Sequence, residues 1–255
     1  MPKLSVNLNK IALIRNSRDT KVPSVLEAAE ISIEAGADGI TVHPRPDLRH
    51  ITPYDIMELS EFLSSPAYQN IEFNIEGNPM FEEGSNGYPG FIALVQEARP
   101  DQCTLVPDSN DQLTSDHGWD FSQLTFNLKE TISRLRDQGI RVSGFVDPDP
   151  RQIGLAKKKG FERIELYTGP YAQNYGTPNQ NPILSKFILA AEKSLQLEMN
   201  VNAGHDLNQT NLPLFIARMP EIKEVSIGHA IVSEAIYHGL RETVKTYKSI
   251  LDEYG

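Results

Sequence analysis

A single cysteine, Cys103, in 255 residues leaves no internal disulfide and excludes a cystine-stapled scaffold. Apolar runs such as Phe91-Ile92-Ala93-Leu94-Val95 and Phe187-Ile188-Leu189-Ala190-Ala191 fall far short of the roughly 20 residues a membrane-spanning helix requires. Basic residues are scarce: 24 Lys plus Arg against 34 Asp plus Glu leave a net charge of −10, whose field repels nucleic acid and anionic membrane. Neither Gly-x-Gly-x-x-Gly nor the P-loop pattern occurs, so nucleotide binding lacks its usual glycine-rich cradle. There is no His-Glu-x-x-His helix, and the first strand carries Asn7-Leu8-Asn9 where a His-x-His metal pair would stand. No metal is expected. The N-terminus has no apolar secretory stretch, and with one unpaired cysteine the expected compartment is the cytoplasm.

Hydrophobic residues at 39% and charged residues at 23% suit a globular chain with a substantial core. Short Val/Ile/Leu-rich runs alternate with longer amphipathic stretches, the rhythm of repeated βα units. About eight units fit a chain near 250 residues, so the expected fold is α/β, a TIM-type (β/α)8 barrel with extra helical and loop insertions, forming one catalytic domain over residues 1–255. Strands are expected to begin near Leu4, Gly39, Ile71, Gln102, Val142, Arg163, Met199 and Glu224. Helices are expected from Val22-Pro23 to Gly36, from Pro53 to Ser64 with Thr52 as N-cap, over Phe121–Gln138, from Pro150 to Gly160, over Pro182–Leu197 and over Ser233–Glu253. Two segments, Gly77–Gly90 and Pro107–Asp120, are too long for ordinary connections and are candidate lids or interface loops.

Barrel enzymes carry their chemistry at the C-terminal strand ends, and here those ends are crowded with polar groups. Strand one leads to Asn7, Asn9 and Lys10, with Arg15 and Arg18 beyond; strand two runs into His43, Arg45, Arg49 and His50; strand three ends in Glu76. Strand six offers Glu165 and Thr168, strand seven Asn202 and His205, strand eight Ser226, Gly228 and His229. One such histidine or carboxylate is ordinarily structural, but several on one face indicate general acid–base chemistry, with imidazoles exchanging protons near neutrality and a desolvated Glu raised into the useful range. Arg18, Arg45 and Arg49 form a candidate phosphate clamp, and Gly204 and Gly228 permit the close backbone approach that barrel phosphate sites use. Cys103, within a strand, reads as core.

The stretches Gly36-Ala37-Asp38-Gly39-Ile40-Thr41-Val42-His43, Arg49-His50-Ile51-Thr52, Val201-Asn202-Ala203-Gly204-His205 and Ile227-Gly228-His229-Ala230-Ile231 together resemble the pyridoxine 5′-phosphate synthase family, over nearly the whole chain. The resemblance implies condensation of 3-amino-2-oxopropyl phosphate with 1-deoxy-D-xylulose 5-phosphate to pyridoxine 5′-phosphate, phosphate and water, without a cofactor and in a homo-octamer. By motif matching it implies His43 and Glu76 as proton acceptors and His205 as proton donor. It also implies Asn7, Arg18, Arg45, His50, Thr114, Gly228 and His229 as holders of the two phosphorylated substrates. Asp206 stands where many members have glycine, and the frequent Asn-x-Asp-His appears as Asn7-Leu8-Asn9-Lys10, placing Asn9, Lys10 and Asp206 among the expected substrate contacts. Two other readings of the same residues stay open. One is a sugar-phosphate isomerase or aldolase with Lys10 forming a covalent adduct; the other is a phosphometabolite-binding regulator that consumes nothing.

Overall fold

The computed structural model describes residues 1–18, 20–123 and 126–255, and shows a closed barrel of eight parallel strands in sequential order. They are β1 (Lys3–Asn7), β2 (Gly39–Val42), β3 (Glu72–Gly77), β4 (Gln102–Leu105), β5 (Arg141–Val146), β6 (Arg163–Tyr167), β7 (Asn200–Gly204) and β8 (Ile222–Ile227), each starting within two residues of its expected position. β8 closes the ring on β1, with Lys3 opposite Glu224 and Ser5 opposite Ser226. Helices α1 (Asn9–Asn16) and α2 (Val25–Glu34) follow β1, α3 (Pro53–Leu63) follows β2, α4 (Phe91–Ala98) follows β3 and α5 (Leu128–Arg136) follows β4. Then come α6 (Pro150–Lys159) after β5, α7 (Gly169–Asn174) and α8 (Gln180–Gln196) after β6, α9 (Leu212–Arg218) after β7, and α10 (His229–His238) and α11 (Leu240–Tyr254) after β8. Among the described residues no helix is long and apolar enough to cross a membrane.

Parallel strands covered by helices on one side and closed on themselves usually read as near-continuous apolar runs, with Val, Ile and Leu filling the interior. Here most strands alternate instead, β5 with its Phe145-Val146 end being an exception. Leu4, Val6, Ile40, Val42, Ile75, Ile164, Leu166, Val225 and Ile227 join the apolar shell beneath the helices. Fully burying such a side chain contributes about 1.5–3 kcal/mol. The intervening Ser5, Thr41, Asn74, Thr104, Ser143, Glu165, Asn202 and Glu224 are buried polar residues of the barrel interior. Burying polar groups is costly unless they bond to one another, and most of these do. Ser5 Oγ lies 2.7 Å from Thr41 Oγ1, Asn74 Nδ2 donates to Thr41 Oγ1 at 3.3 Å, and Thr104 Oγ1 donates to Asn74 Oδ1 at 3.1 Å. On the opposite wall Arg163 Nη1 donates to Asn202 Oδ1 at 3.2 Å, and Asn202 Nδ2 to Glu224 Oε1 at 3.1 Å.

Local signals fix the helix ends. Thr52 caps α3 in a reciprocal box with Asp55, Pro53 occupies the first turn, and removing such a cap costs about 1 kcal/mol. Arg15 grips the same Asp55 through two contacts of 2.5 and 2.9 Å, tying α1 to α3. Asp149 caps α6, and Gly160, at φ +103°, ends it as expected. Three expected helices are corrected. Val22-Pro23 precede α2 rather than open it, because Ser24 is the N-cap and accepts from Glu27 N. The expected helix Ser233–Glu253 is two helices that begin earlier, because Gly239 at φ +79° ends α10 and opens α11. The helix expected from Phe121 begins at Leu128; Leu124 and Thr125 lie outside the described residues.

The two long connections behave differently. Residues 77–90 fold back on themselves, with Glu83 bridged to Pro89, Gly84 N donating to Tyr88 O at 2.7 Å and the Tyr88 side chain fully buried. Residues 107–120 run along the C-terminal rim, anchored where Trp119 Nε1 donates to Leu105 O at 2.9 Å.

Candidate active site

At the C-terminal ends of the strands the barrel opens into a cavity of about 280 Å³, near the lower end of the range for small-molecule sites. Successive strand ends deliver Asn7, Asn9 and Lys10, then His43, Arg45 and His50, then Glu76, then Thr114 and Ser115. Phe145 and Glu165 follow, and His205, Asp206, Ser226, Gly228 and His229 complete the rim. Of the residues that the family resemblance implies for the site, all but Arg18 line this one cavity. The loop 107–120 contributes Leu113, Thr114 and Ser115 to the lining and the segment 77–90 contributes nothing, so only the former has the position of a lid.

On the β1–β3 side, a chain of hydrogen bonds orients two ionisable groups. Asn7 Nδ2 donates to Glu76 Oε2 at 3.4 Å, Asn9 N to Asn7 Oδ1 at 3.0 Å, and His43 N to Asn9 Oδ1 at 2.8 Å. The His43 ring then lies between two carboxylates, Nδ1 3.9 Å from Glu76 Oε2 and Nε2 4.0 Å from Asp108 Oδ2. Burial, and then the Arg45 charge, hold His43 well below the usual histidine range, so the ring is neutral at neutral pH. Burial, and then the charges of Asp108 and Glu224, push Glu76 up to about 8. His50 is pushed down to about 3 by burial and by Arg45 and Lys10. Its Nδ1 accepts from Ile51 N at 2.9 Å, leaving Nε2 to carry the proton.

On the β7–β8 side, backbone geometry positions the groups. His205 and Asp206 have φ values of +83° and +60°, a conformation that L-residues other than glycine adopt at a cost of about 1–3 kcal/mol and that gathers at functional sites. The Thr168 hydroxyl holds this corner by bonding the Gly204 carbonyl at 2.6 Å and contacting the His205 carbonyl. His205 Nε2 lies 2.9 Å from Thr114 Oγ1, and Nδ1 lies 3.1 Å from Asp206 Oδ2. That neighbour holds the Asp206 carboxyl below its usual value. Tyr167 packs edge-on against the imidazole at 5.4 Å. Two glycines give close approach here. A Cβ on Gly204 would lie 2.0 Å from Glu165 Oε1, and one on Gly228 would lie 2.8 Å from Asn7 Cβ. Gly228 also caps α10, which has no side-chain cap and starts at the cavity rim that Gly228 and His229 line, the kind of helix start that can bind an anion.

Arg18 is the exception among the expected contacts: it is exposed, beyond α1, and does not line the cavity. Arg49 pairs with Asp47 and donates to the carbonyls of Asn110, Gln112 and Leu113. It holds the loop rather than lining the cavity. Cys103 is buried in the core, as expected, and burial raises its thiol. Among the described residues no cluster of three or more His, Cys, Asp or Glu side chains could hold a metal ion.

Sequence reasoning passed over three contributors. Asp108, fully buried, ion-pairs with Arg45. Phe145 forms an apolar wall with Tyr167, their rings 5.5 Å apart. Glu165, noted as a strand-end residue but left out of the expected site, lines the cavity with its Oε2 unpartnered, and burial raises its carboxyl well above the usual value. The alternation along Arg163-Ile164-Glu165-Leu166 was the available signal for Glu165.

Comparison with known proteins follows the same direction. A protein-family profile described as pyridoxal phosphate biosynthesis protein PdxJ matches residues 4–253. Pyridoxine 5′-phosphate synthase of Xylella fastidiosa (strain M23) is 49% identical over 250 residues, covering 98% of this chain and 95% of that protein. The protein of the same name from Xanthomonas oryzae pv. oryzae (strain MAFF 311018) is 50% identical over 249 residues, covering 98% and 96%. Solved structures similar to the chain include a tryptophan synthase from M. tuberculosis in its open form, with TM-score 0.63, 13% identity and coverage of 98% and 92%. Phosphoribosyl anthranilate isomerase superimposes with TM-score 0.56, 15% identity and coverage of 99% and 100%. At such identities these two show a shared fold alone.

Proposed function

The chain belongs to the family described as pyridoxal phosphate biosynthesis protein PdxJ, and on that premise we propose that it condenses 3-amino-2-oxopropyl phosphate with 1-deoxy-D-xylulose 5-phosphate to pyridoxine 5′-phosphate, phosphate and water. The observation that carries the reading is the meeting of His43, Glu76 and His205 in one cavity beside the N-terminus of α10.

The reaction joins an amine to a ketone with loss of water, closes a carbon–carbon bond, eliminates phosphate and aromatises the ring. Each step moves protons, and positioned acid–base groups can share them. His43, kept neutral by burial, has a free lone pair and accepts protons. Glu76 is mainly protonated at neutral pH; a substrate ammonium beside it opposes the burial penalty and restores the carboxylate, which then acts as the second acceptor. His205, between Asp206 and Thr114, donates a proton to the departing oxygen. Gly228 and His229 at the start of α10 hold one phosphate, and Arg45 with His50 holds the other. Asn7 and Asn9 orient Glu76 and His43, and Lys10 and Asp206 contact the sugar-derived substrate. Arg18 can serve as a phosphate ligand only where a loop movement or a neighbouring copy brings it to a cavity. The proposed assembly is a homo-octamer in the cytoplasm, and the exposed Ile236 and Tyr237 on α10 offer apolar surface for contacts between copies.

The test is product formation by the purified, folded chain from the two substrates, with release of inorganic phosphate and with undiminished rate in excess chelator. Absence of product overturns the reading. The aldolase alternative requires Lys10 to form an adduct that borohydride traps during turnover, and no trapped Lys10 is expected.

A further inference from the structure

The reading above assigns Arg45 to a substrate phosphate, and the present inference rests on it. Arg45 already has an anion within the chain. Asp108, just beyond β4 and with no exposed surface, presents one carboxylate oxygen to three groups. Oδ2 pairs with Arg45 Nη2, accepts the Ser115 hydroxyl at 2.8 Å and stands 4.0 Å from His43 Nε2. Its other oxygen, Oδ1, is buried without a hydrogen-bond partner. The backbone at this point is fixed separately, by Asn78 Nδ2 donating to Asp108 O at 2.8 Å. The second arm of the guanidinium, Arg45 Nη1, donates to Gln112 O at 3.1 Å. One carboxylate thus ties together the cation of the β2 side and the loop that carries Thr114.

A guanidinium facing a cavity without a resident anion would bind phosphate tightly, and this reaction must release both inorganic phosphate and a phosphorylated product. A half-satisfied carboxylate on the same guanidinium opposes an incoming phosphate by like charge and by competition for the same donors. We propose that Asp108 is a positioning residue for the reaction: through Oδ2 it fixes the Arg45 guanidinium and the Ser115 end of the loop, and it weakens the hold of Arg45 on phosphate so that products leave. Its effects on turnover and on phosphate affinity therefore run in opposite directions, which a purely structural residue would not produce.

Asp108→Asn keeps the shape and removes the charge. Inorganic phosphate, titrated calorimetrically into the whole chain, should bind Asp108→Asn roughly tenfold more tightly than the parent, about the worth of one charge-assisted hydrogen bond. KM for both substrates should fall together with kcat, and inhibition by added phosphate should strengthen. Ser115→Ala releases the loop but leaves Arg45 paired, so kcat should fall severalfold with phosphate affinity unchanged. Phosphate affinity that is equal or weaker in Asp108→Asn overturns the proposal, as does a Ser115→Ala chain with undiminished kcat. Should the parent chain form no product, the reading of the reaction fails, while the direction of the phosphate shift in Asp108→Asn still decides the role of Asp108.

Discussion

The two sides of the cavity set up their ionisable groups by different physical means. On the β2–β3 side the His43 and Glu76 side chains are only 4% and 11% exposed, and desolvation moves both far from their ordinary ionisation. On the β7–β8 side His205 and Asp206 are 24% and 38% exposed, and left-handed backbone sets their position. Burial disfavours the charged form of any group, so it yields a neutral imidazole and a neutral carboxyl side by side. Backbone strain instead places a side chain without taking it out of water. The proposed proton acceptors lie where charge is costly, and the proposed donor lies where a proton can be replenished from solvent.

Three substitutions, read in four measurements, sharpen or break this contrast. The largest effect is expected on the buried side: Glu76→Gln keeps the amide-sized shape beside Asn7 but cannot take a proton. Turnover should fall by roughly 10³-fold, within the range for general acid–base groups, with KM little changed. Steady-state product formation measures it, and a loss confined to KM would mean that Glu76 binds rather than reacts.

The same substitution should alter stability with pH. Glu76 folds with its carboxyl raised to about 8 from an ordinary 4.5, so the folded chain keeps a proton that the unfolded chain gives up. Stability is therefore full below pH 4.5 and is lost as pH rises toward about 8, with the raised Glu165 and Glu224 acting in the same direction. Urea midpoints of Glu76→Gln and parent should coincide near pH 4.5 and diverge in favour of Gln by pH 8. The expected gap is on the order of 4 kcal/mol. A constant gap would show that Glu76 is not desolvated.

On the strained side, His205→Asn should lower kcat by roughly 10²-fold, toward the smaller end of what a positioned proton donor supplies. An equal or greater loss than for Glu76→Gln would erase the distinction between the two sides. The smallest effect belongs to Thr114→Val, which removes one hydrogen bond to His205 from an exposed loop and should lower kcat/KM roughly five- to tenfold.

The barrel was legible in the sequence because βα alternation and Pro and Gly punctuation are local signals. Thr52-Pro53 and Pro150 with Gly160 mark real helix boundaries. The helix expected over Ser233–Glu253 did not survive, since one glycine, Gly239, in a left-handed conformation divides it where periodicity runs on unbroken. The site was legible because strand ends converge by construction in this fold, which brings His43, Glu76 and His205 together from separated stretches. Asp108 was not legible, because an aspartate after a loop proline is ordinarily solvated and only the closed barrel brings Arg45 and Ser115 to it. Arg18 stays outside this cavity of the single chain, since nearness in sequence to a strand end does not by itself carry an exposed side chain beyond α1 back to it. The polar interior could have been read from Leu4-Ser5-Val6-Asn7 and Ile40-Thr41-Val42-His43, where alternation in buried parallel strands departs from the usual apolar run.

A crystal structure of the chain with pyridoxine 5′-phosphate bound tests the division of the cavity most directly. The expected result is the pyridine ring between His43 and Glu76 on one face and His205 on the other, with a phosphate against Gly228 and His229. Product bound outside this cavity, or with its ring out of reach of both Glu76 and His205, would contradict the assignment of proton transfer to these two sides.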